Sequence, residues 1–176
     1  TSTGWAIIPL AGEAPRFLHP PGMLPLPKPT RGGDLGQLWQ FLNVTEADRP
    51  LFLASLLYIM YRPRGPYIVL VLLGEQGSAK TATSRIVKAL ADPAQQPVRS
   101  FPRETWDLMI YAKSARLLAF DNLSYLKNEQ SDELCRLATL SGFGVRTRYE
   151  NDEETVFGGT RPVLINSISD TAERPD

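Results

Sequence analysis

Cysteine and histidine are almost missing from this chain: 176 residues hold one of each, Cys135 and His19. A single thiol cannot close an internal disulfide, and it suits a reducing, cytoplasmic compartment. His19 stands among prolines with no cysteine or second histidine near it, which removes the usual ligand set of a structural zinc. An excess of one charge is missing too. Nineteen basic residues balance nineteen acidic ones, so any contact with nucleic acid must come from a local patch. The apolar run Leu51 to Tyr61 is too short to span a bilayer, and no basic-then-apolar signal opens the chain. No membrane partner is expected. No repeat is visible. Thr1 is not a natural start and the chain stops just after Arg174-Pro175, so it reads as a segment of a longer protein.

Proline, by contrast, is concentrated. Residues 1–33 hold seven of the fifteen prolines. Proline fixes φ and removes a donor, which excludes a helix or a central strand. This part is expected to be an extended segment or linker, with Gly4 to Leu10 as one short strand. Residues 34–65 read as a helical segment. Asp34 to Leu42 forms a short helix; a second, capped by Thr45, has its body at Leu51 to Tyr61 and is stopped by Arg62-Pro63-Arg64-Gly65-Pro66.

Residues 66–176 change pattern. Tyr67 to Leu73 is a continuous apolar run rich in β-branched residues, the mark of a parallel strand buried on both faces. Helix Lys80 to Ala91 follows, with Ala82, Ile86, Val87 and Leu90 as its apolar face. Val98 to Phe101 suggests a short strand and Pro102 to Ala112 a helix. Ala115 to Phe120 reads as a second buried strand. A helix from Ser131-Asp132 to Leu140 is closed by Gly142. Val145 to Tyr149 and Glu154 to Phe157 form a β-hairpin around a polar bend, and Pro162 to Ile165 is a third buried strand. Strands alternating with helices imply an α/β fold with a mostly parallel sheet.

The chemistry lies between the first buried strand and its helix. Gly74-Glu75-Gln76-Gly77-Ser78-Ala79-Lys80-Thr81, continuing into Ala82, fits the Gly-x4-Gly-Lys-Ser/Thr phosphate loop apart from Ala79, which stands where glycine is usual. Backbone N–H groups of such a loop cradle an anion, and the helix N-terminus adds partial positive charge. Lys80 is expected on the β- and γ-phosphates of ATP and Thr81 on Mg²⁺. Alanine allows close backbone approach at position 79 but resists φ > 0. A dinucleotide loop built on Gly74, Gly77 and Ala79 is the other reading; it leaves Lys80-Thr81 without a purpose. The strand ending in Asp121 supplies a carboxylate for the magnesium, the alternative being a plain Asp-Asn turn. Asn122 cannot accept a proton, so Glu75 or another carboxylate would be the base. Asn166, at the end of the third strand, is placed to touch the γ-phosphate or to orient water; it also suits a simple turn.

Taken in order, these segments resemble the AAA+ ATPases of the P-loop NTPase class (ASCE type) and, within them, superfamily 3 helicases. The ATPase module of primase-helicase proteins from phages and integrated mobile elements is the nearest likeness. The glycine loop at 74–81 and Leu118-Ala119-Phe120-Asp121-Asn122-Leu123-Ser124 carry it as Walker A and Walker B motifs. Leu134 to Thr139, Arg146-Thr147-Arg148-Tyr149 with Asp152 to Glu154, and Arg161 to Asn166 extend it, over about residues 22–176.

The resemblance implies a three-layer αβα sandwich with strand order 5-1-4-3-2, the chain ending before strand five. It implies a β-hairpin insertion before the last strand, and a homo-oligomeric ring, usually a hexamer, with ATP between neighbours. It makes Lys80, Asp121, Asn122 and Asn166 the catalytic set. By the same resemblance the hairpin would meet DNA through Arg146 and Arg148, unless Glu150 to Glu154 pair with those arginines instead. Arg136 or Arg161 would act across a subunit interface, while the usual arginine finger and helical lid would follow Asp176. The function expected is an ATP-hydrolysing motor of a DNA helicase. The alternatives are an ATP-dependent loader or switch, a small-molecule kinase or GTPase (which lacks its guanine motif here), and a nucleotide-binding scaffold without catalysis.

Overall fold

The computed structural model describes residues 19–123, 125–139, 159–168 and, by backbone alone, 143–146 and 154–157. The expected strand at Gly4 to Leu10 lies outside these residues, as do Arg148 and the closing Gly142.

Asp34 accepts the Gly36 N–H (2.7 Å) and starts a 3-10 turn at Leu35–Gln40 rather than an α-helix. Helix α1, Arg49–Tyr61, begins later than Thr45 suggested, with Asp48 at its N-cap. Pro50 falls in the first turn, where its missing N–H costs nothing. Thr45 instead accepts the Asp48 N–H at 3.3 Å in the turn before the helix. Strand β1, Val69–Leu73, leads through the glycine loop into α2, Lys80–Ala91. Then come α3 (Thr105–Ser114), β2 (Leu118–Phe120), α4 (Asn128–Ala138), the hairpin β3 (Phe143–Arg146) with β4 (Glu154–Phe157), and β5 (Val163–Ser167).

The parallel sheet has the order β1-β5-β2. Beyond β2, Arg99 makes a single parallel bridge to Phe120, so the segment around Val98 is reduced to one bridge. The three strands correspond to a 1-4-3 stretch of the expected order. Each strand alternates its side chains between two faces. Leu118, Phe120, Val163 and Ile165 pack with α3 and α4 on one side. Leu117, Ala119 and Leu164 pack with α1 and α2 on the other. Helices on both faces of a parallel sheet make three layers.

Two expectations need correcting. β1 is only partly buried, while β2 and β5 are buried throughout. β1 and β2 are the two ends of the described sheet, and β2 alone has a further segment, the bridge at Arg99, beside it. On α2 the buried residues are Thr83, Ser84, Val87, Lys88 and Ala91, with Ala82 exposed. The stripe turns toward polar side chains because Ser84 and Lys88 find buried partners, Asn166 for one and Leu117 O for the other.

Candidate functional site

The loop between β1 and α2 is held closed by its own atoms. A Cβ on Gly74 would lie 2.7 Å from Ser78 Oγ, so a side chain there would push that hydroxyl off its place beside Lys80. Gly77 takes φ +83 and Ala79 φ 63, both left-handed. The resistance expected of alanine is therefore overcome by the surrounding loop, at about 1–2 kcal/mol of strain. Ala79 is also the N-cap of α2 and has no side-chain acceptor to offer. The first amides of the helix have no intrahelical acceptor either, so they remain open to an outside anion.

Lys80 Nζ donates to Gly74 O (2.6 Å), Glu75 O (2.7 Å) and Ser78 Oγ (3.2 Å). Three bonds use all three ammonium donors. The charge is thus held on the loop's own oxygens. Glu75, Gln76, Gly77 and Ala82 are exposed around it.

Across from the loop, the strand register and the start of α2 bring four polar residues together. Phe120 faces Ile165 in the β2–β5 ladder, so the next residues, Asp121 and Asn166, are neighbours. Asn166 Nδ2 donates to Asp121 Oδ1 at 2.8 Å. Thr81 Oγ1, on the first turn of α2, lies 3.0 Å from both Asp121 oxygens. Ser84 Oγ donates to Asn166 Oδ1 at 2.6 Å. A carboxylate only accepts, which fixes the amide: Nδ2 must face Asp121, and Oδ1 must face a donor. Ser84 supplies that donor and was missed from the sequence. Its signal was a small hydroxyl one helical turn from Lys80, on the face turned to the sheet.

Hydroxyl and carboxylate so placed suit a hard cation that keeps most of its water, as magnesium does. Among the described residues no group of three His, Cys, Asp or Glu side chains converges, so no all-protein cage competes for that role. Asn122 is exposed and has φ 55. Asparagine tolerates that left-handed backbone better than most residues, so the turn itself favours it there.

Beside the loop opens a cavity of about 460 Å³. Val44, Leu51, Phe52, Leu70 and Leu72 give it apolar walls, and Asn43, Thr45 and Asp48 give it polar ones. Asn43 Nδ2 donates to Ser78 O at 3.2 Å, which ties the segment before α1 to the glycine loop.

Two further arginines differ in placement. Arg161 turns inward, with Nε donating to Ala112 O (2.9 Å) and Ala115 O (2.8 Å) at the C-terminal end of α3. Burial pushes its guanidinium pKa down. A role across a subunit interface does not suit that position. Arg136, in the last turn of α4, is exposed. In the hairpin, Arg146 sits opposite Glu154 in the register.

No helix among the described residues is long and apolar enough to cross a membrane. A family model described as "Actinomycete integrative conjugative element replication protein" matches residues 35–176. No curated protein and no solved structure matches the chain.

Proposed function

We propose, from the premise that the chain belongs to the family of replication proteins of actinomycete integrative conjugative elements, that it is the ATP-binding and ATP-hydrolysing motor part of a DNA helicase of the AAA+ type. One observation carries the reading: Thr81 Oγ1 stands 3.0 Å from both oxygens of Asp121, at the mouth of a glycine loop that opens a helix. A hydroxyl and a carboxylate so placed are the pair that a phosphate-bound Mg²⁺ would use.

In this reading the first amides of α2 and Lys80 hold the phosphates, and residues 74–82 surround them. Thr81 and Asp121 hold Mg²⁺, which supplies charge neutralisation when bound. Asn166, kept in one orientation by Ser84, presents its amide beside Asp121 for the γ-phosphate or the attacking water. The cavity lined by Asn43, Phe52 and Leu72 has the size and apolar walls for a nucleobase. Strand order β1-β5-β2 supports the same assignment, because ligands gather at the carboxyl ends of such strands. DNA contact through Arg146 and Arg148 and a hexameric ring belong to the proposal, as does Arg136 as the better candidate for an interface arginine.

The second reading, a loader or switch that binds nucleotide without unwinding, is favoured by Asn122. A residue without a basic carboxylate beside Asp121 suits slow hydrolysis.

The test is binding of a fluorescent ATP analogue with Mg²⁺ to the wild type and to Lys80→Ala, then DNA-stimulated hydrolysis and strand separation. Loss of binding in Lys80→Ala with unwinding by the wild type supports the motor. Hydrolysis without unwinding transfers the weight to the switch. Equal binding by both proteins ends the nucleotide reading.

A further inference from the structure

At the end of the sheet remote from the glycine loop, the C-terminal end of α2 meets the start of β2. Lys88, 1% exposed, donates from Nζ to Asp92 Oδ2 (2.5 Å) and to Leu117 O (2.6 Å). The same Oδ2 accepts the N–H groups of Arg116 (2.8 Å) and Leu117 (3.0 Å). Asp92 Oδ2 thus meets one ammonium and two amides.

Arg99 lies next to this knot and takes no part in it. Its Cζ is 4.3 Å from the centroid of the Tyr111 ring. Its Nε is shielded from solvent and has no hydrogen-bond partner among the described residues. The ion pairs Arg49–Glu46 and Lys88–Asp92 leave Arg99 outside. Arg99, Lys88, Asp92, Tyr111 and Ser114 line a cavity of about 260 Å³, roofed by residues 21–23. The roof is fastened by Leu24 N–H to Pro93 O (2.9 Å) and by Gln95 N–H to Gly22 O (2.8 Å).

Formal charges in the cavity are Lys88 and Arg99 positive and Asp92 negative, which leaves one positive charge over. A guanidinium is permanently charged and carries five donors. With its Cζ 4.3 Å from the Tyr111 ring centroid, it still has N–H donors to offer a planar or tetrahedral oxyanion. A shielded donor without an acceptor is costly, and an oxyanion removes that cost. The Tyr111 hydroxyl accepts the Ala119 N–H at 3.3 Å, so its own proton is a second donor. The cavity falls below the usual 300–1,000 Å³ of drug-sized ligand pockets, so it suits a small group.

We infer that this cavity is a second anion site, taking a phosphate-type oxyanion on the edge of Arg99 with the Tyr111 hydroxyl beside it. The inference is independent of the nucleotide reading. Two sources carry that chemistry: free orthophosphate and the terminal phosphate of a nucleic-acid strand.

Calorimetric titration with orthophosphate tests it. Lys80→Ala serves as the background, because the glycine loop also attracts phosphate. Expected is binding that persists in Lys80→Ala and falls at least tenfold when Arg99→Gln is added. Arg99→Lys keeps the charge without the fork and should lose affinity severalfold, as should Tyr111→Phe, which preserves the ring under the guanidinium. Absence of phosphate binding in Lys80→Ala overturns the inference, and so does equal affinity with and without Arg99→Gln. If Arg99→Gln fails to fold, unchanged affinity in both Arg99→Lys and Tyr111→Phe overturns it as well. Comparing 5′-phosphorylated with 5′-hydroxyl oligonucleotides then separates the sources. A preference for the phosphorylated strand that needs Arg99 assigns the strand end; no preference assigns the free anion.

Discussion

Ala79 stands in the left-handed region with φ 63, at the point where the glycine loop turns into α2. Two effects compete when it is replaced by glycine. Strain relief is about 1–2 kcal/mol, and the added freedom of the unfolded chain takes back about 0.4–1 kcal/mol. Relief wins, so Ala79→Gly is expected to stabilise by about 0.5–1 kcal/mol, read as a higher midpoint in urea unfolding. Ser84 works through a different cost. It is fully buried and donates to the 1% exposed Asn166, so Ser84→Ala leaves a buried carbonyl oxygen unpaired, at about 1–3 kcal/mol. The amide then loses its fixed orientation. Expected are that loss in urea unfolding and, for the proposed ATPase, a fall in kcat larger than any change in KM. A purely structural role would leave kcat of the folded variant unchanged.

Single residues also mark the limit of what the sequence discloses. Gly74, Lys80, Thr81 and Asp121 are legible because a loop spacing and a strand end are local patterns. Ser84 is not, because its meaning depends on Asn166, which only the sheet brings near. Asn122 reads as a missing carboxylate in the sequence and as a left-handed turn in the structure.

Among the elements, α2 joins the two ends of the molecule: Lys80 and Thr81 at its start, Lys88 and Asp92 at its finish. Burial pushes the Lys88 pKa down, and Asp92 pushes it up. Asp92→Asn removes the opposing influence and leaves a buried ammonium without its counter-charge. The cost expected is about 3–5 kcal/mol. Lys88→Met removes the other partner, but Asp92 keeps the amides of Arg116 and Leu117, so its loss should be the smaller. The sign of the pH dependence follows from proton counting. With the Lys88 pKa lowered further in Asp92→Asn, the native state binds fewer protons than the unfolded chain below the ordinary lysine value, so stability rises with pH there. Denaturant unfolding from pH 7 to 9 should show Asp92→Asn recovering part of its loss. That window stays below the range in which the Tyr111 phenol, its pKa raised by burial, opposes the trend. Element types were legible from hydrophobic patterning, since Val69–Leu73 is apolar throughout and Val163–Ser167 is apolar as far as Ile165. Their boundaries were less so: Pro50 shifts the start of α1, and a strand's burial depends on neighbours the local sequence does not name.

For the molecule as a whole, a ligand that binds only the folded state raises stability by RT ln(1 + [L]/Kd), about 2.7 kcal/mol at a hundredfold excess over Kd. For a domain of this size that is roughly 5–10 °C in Tm. Adding ATP with Mg²⁺ should raise Tm by that amount in the wild type and leave Lys80→Ala unmoved; calorimetry at fixed protein concentration reads it. Strand order was the whole-molecule property least legible from the residues themselves, because β1 and β2 never touch and both depend on β5. That arrangement governs how the chain is made. Of these three strands the middle one is made last, so β1 and β2 wait beside each other with their inner edges unpaired until Val163–Ser167 arrives. At the 5–20 residues added per second, that exposure lasts for seconds. The wait is a period in which a chaperone, or an edge of another nascent chain, competes for the place that β5 will fill.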